Sequence, residues 1–348
     1  MLRYNKNPII TPAQVKPSRP DFEVIGAFNA SAIKMNEEII LLIRVAERPV
    51  PDQDKYRVPL FDVKREHITF LEFDKNDEDC DFSDSRWIRT KEKSYITSIS
   101  HLRVARSKDG LNFEIEETPA MAAANQYETY GIEDPRTVRI DGRYYITYSA
   151  ISDIGITDCL AVTEDFKTFQ RLGLVFHPDN KDVVIFPEKI EGKYYALHRP
   201  STSVFGKPDI WIAESPDLLC WGNHRHLMGT REGYWDNGRV GASATPFKVD
   251  GGWLEIYHGA TKDDRYCLGA LLHHETRPWE IIARSKEPIL EPKEIYETEG
   301  FLGGVVFTCG VIPDEEDIHI YYGAADTSIC YAKSSLEEIM GSLEYYEK

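Results

Sequence analysis

The chain has 348 residues, and 41 Lys and Arg set against 58 Asp and Glu leave a formal charge of −17. So acidic a surface, with no block of five like positive charges, disfavours nucleic acid and anionic membranes as partners. Hydrophobic residues at 42% supply a sizeable core and exclude a disordered chain.

No apolar run approaches the ~20 residues of a membrane span, and Met1–Pro8 lacks the apolar stretch of a secretory signal. The six cysteines are scattered without a Cys-x-x-Cys pair and read as free thiols, so a cytoplasmic location is expected.

A repeated element organises the rest. A polar turn followed by a β-rich run occurs at Asn36–Glu47, Asp141–Ala150, Glu191–Pro200, Asp250–Ala260 and Glu316–Thr327. Each copy follows another strand-like segment, starting at Gly26, Gly131, Val184, Arg239 and Gly303, so each pair reads as a β-hairpin. Three hairpins lead into a Ser/Thr-x-Asp turn that ends on an aromatic: Ser107–Phe113, Thr163–Phe169 and Ser215–Trp221.

The last three intervals are 50, 59 and 66 residues, the spacing of four-stranded propeller blades, and no helical period separates the strands. The expected fold is all-β: a five-bladed β-propeller forming one domain over residues 1–348. The first interval of 105 residues implies an insertion over 49–98, acidic and without a readable fold. A terminal helix is expected over 335–346, with Ser335 and Glu338 spaced as a capping box.

In a propeller the first strand of each blade lines the central channel, so equivalent positions converge on the axis. Those strands and the ends of the second ones carry Asn29, Arg44, Glu133, Asp134, Arg136, Glu188, Lys189, His198, Arg199, Arg239, Tyr257, His258 and Asp326. Charges of both signs in one funnel are costly unless paired, and a structural ion-pair network is the plain alternative to a site.

The sharpest local feature is Gly131-Ile-Glu-Asp-Pro-Arg136, where a proline pushes Asp134 into extended geometry. Lys181, Arg199 and His258 form a cationic set suited to an anionic oxygen cluster, phosphate being the simplest. Against this, Lys181 also reads as a solvated loop lysine, Arg199 as a partner of Glu188, and His258 as a core histidine. The runs His224–His226 and His273-His274 lie on no metal-ligand spacing and are expected on surface turns, and no metal site is expected. Neither a Gly-rich phosphate loop nor Gly-x-Ser-x-Gly occurs.

At these residues the chain closely resembles glycoside hydrolase family 130, five-bladed propellers acting on β-mannosides, mostly as phosphorylases. The resemblance runs from Asn7–Pro12 to Tyr321–Thr327. It includes FNASA, LLIRVAE, SKDG, GIEDPR, FPEKI, HRP, YHGAT and GAADT in family order. The segments FEVIGAFN, RVAE and NKDVVIFPEKI are most similar to the subgroup acting on β-1,2-linked oligomannosides.

The resemblance implies that Asp134 is the general acid, working through the 3-hydroxyl of the mannosyl unit. It implies that Arg199 and His258 bind phosphate, with Lys181 where many relatives carry Arg. Asn29, Arg44 and Asp326 would hold the mannose, and Glu133, Arg136 and Tyr257 complete the candidate sugar-binding set.

The expected reaction is inverting phosphorolysis of a manno-oligosaccharide to α-mannose 1-phosphate, with inorganic phosphate as co-substrate and no cofactor. An inverting β-mannosidase would instead carry carboxylates where the phosphate-binding cations stand. A non-catalytic sugar-binding propeller would use aromatic platforms such as Trp235 or Trp253. If copies of the chain associate, the insertion and the terminal helix are the expected contacts.

Overall fold

The computed structural model describes residues 1–201 and 204–347 and contains five antiparallel sheets arranged as a β-propeller. Blade I comprises Phe22–Met35, Glu38–Pro49, Ile99–Ser107 and Glu114–Ile115, and blade II Ile132–Ile140, Arg143–Ser152, Gly155–Thr163 and Gln170–Phe176. Blade III comprises Asn180–Ile185, Tyr194–Pro200, Ile210–Ser215 and Gly222–Met228. In blade IV the inner strand is interrupted, as Arg239–Ala242 and Phe247–Val249, before Gly252–Ala260, Tyr266–His274 and Ile281–Ser285. Blade V is Val306–Asp314, Asp317–Ala324 and Ser328–Ser335, with Leu2–Arg3 added at its outer edge.

Local chemistry explains the hairpins. Asp141-Gly142 and Glu191-Gly192 form two-residue loops with positive φ at both positions (49° and 83°, 50° and 81°), the backbone that matches the right-handed twist of the flanking strands. The Ser/Thr-x-Asp turns behave alike in three blades. Ser107, Thr163 and Ser215 accept from the backbone N–H three residues on, at 2.9, 3.0 and 2.9 Å. Asp109, Asp165 and Asp217 each accept from the N–H groups two and three residues further on. Apolar clusters fill the spaces between blades: Ile40 and Leu42 pack with Ile132 and Ile146, and Leu254 and Ile256 with Ile318 and Ile320.

The ring is closed by the N-terminal strand, Leu2 and Arg3 pairing with Lys333 and Ala332. Arg3 donates Nε and Nη2 to the two oxygens of fully buried Glu297 at 2.7 and 2.9 Å. That carboxylate also accepts from Tyr322 Oη at 2.8 Å and from the backbone of Lys293 and Glu294.

Two expectations about local structure are corrected. The terminal helix covers only Leu336–Gly341, and Leu343–Tyr345 then pairs with Ile281–Ser285 as a further strand of blade IV. Ser335 caps Glu338 N–H, but the Glu338 carboxylate turns to Ser334 Oγ and the Met1 ammonium instead of completing the box. The second correction concerns histidine: His273 is fully buried and bonded to Glu255 at 2.8 Å, whereas His224–His226 lie on the outer strand of blade III.

The insertion folds as two hairpins, Lys55–Asp62 with His67–Asp74 and Trp87–Arg89 with Ser94–Ile96. They continue from the far end of the blade I hairpin and pack Val58 and Ile88 against Tyr130 and Ile151 of the blade II rim.

Arg3→Ala should cost about 3 kcal/mol in denaturant unfolding, because it strands the Glu297 carboxylate inside the closure. Lys16→Ala, which breaks the exposed Lys16–Glu117 pair, serves as the control and should change stability by less than about 0.5 kcal/mol. Equal losses in both variants would show that the ring closure does not depend on this pair.

Candidate active site

The inner strands of blades I, II and III share one irregularity. In each, two residues stand opposite a single partner: Asn29 and Ala30 opposite Ile43, Asp134 and Pro135 opposite Tyr148, Asp182 and Val183 opposite His198. The first residue of each bulge is left-handed, with φ of 48°, 48° and 62°, so Asp134 is not extended as its place before a proline predicts. Asn and Asp tolerate that region better than other residues with a Cβ, and a bulge redirects the side chain it carries. Proline fits the second place in blade II because the bulge leaves that residue out of the ladder.

The redirected side chains meet in a cavity at the blade axis. Asn29, Arg44, Asp134, Lys181, Asp182, Arg199, His258, Tyr266, Phe307 and Asp326 line it. Two glycines make room. A Cβ on Gly323 would stand 2.2 Å from Asn29 Oδ1, and one on Gly241 2.4 Å from the His258 ring and 2.5 Å from Asp182.

On one side lies a carboxylate cluster. Asp134 Oδ1 accepts from Asn29 Nδ2 and from Arg44 Nη1, both at 3.0 Å. Arg44 also donates to Glu133 Oε1 at 2.7 Å and to Ser100 Oγ at 3.2 Å, and stacks over Phe28 at 4.7 Å. Lys181 Nζ lies 3.6 Å from Glu133 Oε2. Burial would raise the Asp134 carboxyl, but Arg44, Lys181, Arg136 and the Asn29 amide outweigh it and hold it below the usual range. Asp326 behaves oppositely: burial, with Asp134 and Glu133 adding repulsion, pushes it up to about 6 against the pull of Arg44 and Arg86.

On the other side, Asp182 gathers three basic side chains. Its Oδ1 accepts from Arg136 Nη2 at 2.8 Å, while Oδ2 lies 2.7 Å from Arg199 Nη1 and 3.4 Å from His258 Nε2. Burial opposes the Asp182 charge, but Arg199, His258 and Arg136 hold the carboxyl well below its ordinary value. Arg136 is buried behind the cavity and also donates to the backbone carbonyls of Asp134 and Ser243, both at 3.0 Å. It links the two halves of the site without facing the open space.

His258 corrects the expectation of a third cation. Burial first, then Arg199 and Arg136, push its pKa down to about 4 despite the neighbouring Asp182. Arg199 Nη1 lies 3.1 Å from His258 Nε2 and can only donate, so Nε2 accepts and Nδ1–H donates to Ser243 Oγ at 3.1 Å. The imidazole is neutral.

The structure therefore brings together Asn29, Arg44, Glu133, Asp134, Lys181, Arg199, His258 and Asp326, with Arg136 supporting them. Tyr257 is not among them. It points into the blade, donating to Asp236 at 2.8 Å and accepting from Arg284, so it binds no ligand from the cavity. Glu188 is exposed and pairs with Lys248 instead of Arg199, and Lys189 is exposed over Tyr194. His198 bonds Asn180 and His224, and Arg239 pairs with Asp264 at the rim. Trp253 is buried and Trp235 packs on Tyr257, so neither forms a sugar platform.

Asp182 and Ser243 escaped the sequence reading. The signal for Asp182 was its place in the inner strand, matching Asn29 and Asp134 one blade at a time. Ser243 carried no such signal, because the blade IV inner strand is broken there. Among the described residues no group of three or more His, Cys, Asp or Glu is placed to hold a metal ion.

A family model described as β-1,4-mannooligosaccharide phosphorylase matches residues 89–345. The chain belongs to glycoside hydrolase family 130. Within that family it is 48% identical to a β-1,2-mannobiose phosphorylase of Listeria innocua, over 99% of each chain. It is 43% identical to a 1,2-β-oligomannan phosphorylase of a Thermoanaerobacter species, over 70% of this chain and 82% of that one. The solved structure of the Listeria innocua enzyme with β-1,2-mannobiose superposes with a TM-score of 0.95, covering 98% of both chains.

Two predictions follow from this geometry. Asp182→Asn removes the charge that anchors Arg199 and His258, contacts of about 1.5–3 kcal/mol. The KM for phosphate should rise by about tenfold or more while the KM for mannoside stays within threefold in steady-state assays. Equal changes in both constants would mean that Asp182 acts on the fold and not on the anion site.

For Asp326 the folded pKa lies above the ordinary carboxyl value, so this group favours the folded state at low pH and loses that contribution as pH rises through about 6. Its ionised form, the better acceptor for sugar hydroxyls, dominates only above about 6. The mannoside KM should therefore rise as pH falls below 6, and this transition should vanish in Asp326→Asn. An unchanged pH profile in the variant would assign the transition to another group.

Proposed function

We propose that this protein is an inverting β-1,2-mannoside phosphorylase, converting manno-oligosaccharide and inorganic phosphate to α-mannose 1-phosphate and a shortened acceptor. The observation that carries the reading is the division of one cavity into a carboxylate half around Asp134 and a phosphate-suited half around Arg199 and His258, with Lys181 lining the same cavity beside Glu133. The near full-length likeness to a β-1,2-mannobiose phosphorylase supports the linkage. The free thiols agree with a reducing compartment, and we place the reaction in the cytoplasm.

Single displacement at the anomeric carbon needs an acid on the leaving-group side and a nucleophile opposite. Asn29, Arg44 and Asp326 hold the mannosyl unit to be transferred, with Glu133 fixing Arg44. Lys181 and Arg199 neutralise phosphate and hold an oxygen in line, which is chiefly a matter of position. His258 adds a neutral donor: if Ser243 Oγ–H turns to donate to Nδ1, Nε2 carries the proton and points it at phosphate.

Asp134 is ionised in the free enzyme, so it gains its proton with substrate bound. A sugar hydroxyl that takes the place of Arg44 Nη1 or Asn29 Nδ2 removes a donor that favours the charged form. As the glycosidic bond breaks and the phosphate oxygen bonds to carbon, Asp134 passes a proton through the 3-hydroxyl to the leaving oxygen. The phosphate monoester then releases a proton, and Asp134 recovers one.

A hydrolase would need a free carboxylate where phosphate sits. Asp182, the carboxylate beside Arg199, has Oδ1 bonded to Arg136 and Oδ2 held 2.7 Å from Arg199 and 3.4 Å from His258, so it is a poor base for water.

Purified protein with β-1,2-mannobiose should release mannose 1-phosphate only when phosphate is present. Asp134→Asn should lower kcat by about 10²–10⁴. Free mannose formed at the same rate without phosphate would make the protein a hydrolase, and turnover confined to β-1,4-mannosides would retain the mechanism and change the linkage.

A further inference from the structure

Charges of opposite sign balance around the catalytic cavity. Among the described residues, Arg44, Arg136, Lys181 and Arg199 stand against Glu133, Asp134, Asp182 and Asp326, and His258 is neutral. Burial raises Asp158 well above the carboxylate range and keeps the Cys309 thiol and the Tyr266 phenol uncharged. Further out, Arg239 pairs with Asp264 and Arg86 with Asp84. An arriving anion therefore adds charge that some group has to offset.

Lys181 is the group free to respond. Arg44, Arg136 and Arg199 are each held by hydrogen bonds or ion pairs of 3.0 Å or less. The Lys181 ammonium has no hydrogen bond among the described residues, only the 3.6 Å ion pair with Glu133 Oε2. Its side chain is 25% exposed, against 10% for Arg199. It stands directly opposite Arg199 in the blade III ladder, so the two side chains leave one face of the sheet, with Cβ atoms about 5 Å apart. One flexible four-carbon stem serves Glu133 on one side and the Arg199 half of the cavity on the other.

Where Lys181 stands decides what Asp134 feels. Beside Glu133 it is, after Arg44, the strongest of the charges that keep the Asp134 carboxyl ionised, whereas Asp326 is pulled down by Arg44 and Arg86. An oxyanion on Arg199 offers the ammonium charge-assisted hydrogen bonds that the 3.6 Å pair lacks. Glu133 is not stranded by the exchange, because its Oε1 keeps Arg44 at 2.7 Å. Asp134 then loses a neighbouring cation and faces new negative charge in the cavity it lines. Both changes favour its neutral form.

We propose that Glu133 holds Lys181 beside the general acid until phosphate binds, and that phosphate, by drawing Lys181 to itself, loads Asp134 with the proton that catalysis needs. Glu133 is thus a positioning residue that couples the two substrates. The inference rests on the phosphorylase reading for the use of that proton. As the bond from C1 to the glycosidic oxygen breaks and the bond from C1 to a phosphate oxygen forms, the proton passes through the 3-hydroxyl to the leaving oxygen. Asp134 returns to the carboxylate in that step, so one proton enters with phosphate and leaves on the acceptor.

The test is calorimetric titration with sodium sulfate, an oxyanion that does not itself titrate near neutrality, at about pH 7 in two buffers of different ionisation enthalpy. The wild type should take up at least about a third of a proton per sulfate bound, and Asp134→Asn less than about a tenth. Asp326→Asn should keep at least half of the wild-type uptake. Glu133→Gln should bind sulfate and phosphate at least threefold tighter, because Lys181 is released in advance, while its mannoside KM rises through the weaker hold on Arg44. A merely structural role for Glu133 would loosen both substrates together.

Uptake that survives in Asp134→Asn, sulfate binding without uptake in the wild type, or no binding of either anion would overturn the proposal. Uptake at Asp134 in a protein that turns over no mannoside would support the coupling and sink the phosphorylase reading. Mannose 1-phosphate formed by an enzyme that binds sulfate without uptake would do the reverse.

Discussion

The site depends on a repeated surplus of one residue. Bulges in the inner strands of blades I, II and III place Asn29, Asp134 and Asp182 in left-handed backbone at matching positions around one axis. A regular strand would alternate these side chains between the two faces of its blade, where they would meet apolar neighbours. The bulge turns them toward the axis, and the ladder on either side holds them there. Strain at these positions is modest because Asn and Asp carry it more easily than other residues with a Cβ.

Once three polar side chains converge, the electrostatics follow from what each one faces. Asp134 meets Arg44 and Asn29, Asp182 meets Arg136 and Arg199, and the two halves share Arg136. Buried charges of opposite sign offset one another's desolvation only with good geometry and further hydrogen bonds. Arg44, Asp134 and Arg136 have both, whereas Asn29 Oδ1, Asp182 Oδ2 and Arg199 Nε are buried without a hydrogen-bond partner. The two halves thus form one connected unit, with Arg136 donating to Asp182 Oδ1 and to the backbone carbonyl of Asp134.

The propeller supplies the cavity from its inner strands and the ends of the second ones, whereas the two extra hairpins stand apart from those bulges, tied to the blade II rim where Val58 and Ile88 pack against Tyr130 and Ile151.

Much of this was legible in the linear chain. The five hairpins, the Ser/Thr-x-Asp turns and the charged inner strands are local patterns, since a type I′ loop or a capped turn depends on residues a few positions apart. Asn29, Arg44, Asp134, Arg199 and Asp326 were identifiable for the same reason, being charged or polar where a structural strand carries Val or Ile. Tyr257 and His198 share that strand register, yet twist and the bulge decide which face a residue presents, so both point away from the cavity. The charge on His258 was equally out of reach, because its neutrality comes from burial beside Arg199 and Arg136 on other blades. Asp182 showed its value only when three blades were superposed. The terminal helix failed at Gly341 because the edge of blade IV, 60 residues earlier in the chain, competes for Leu343–Tyr345. Sequence alone thus determined the repeat, its turns and the kinds of side chain sent to the axis. Tertiary structure decided which of them meet, and with what charge, because those outcomes depend on partners brought together only by closing the ring.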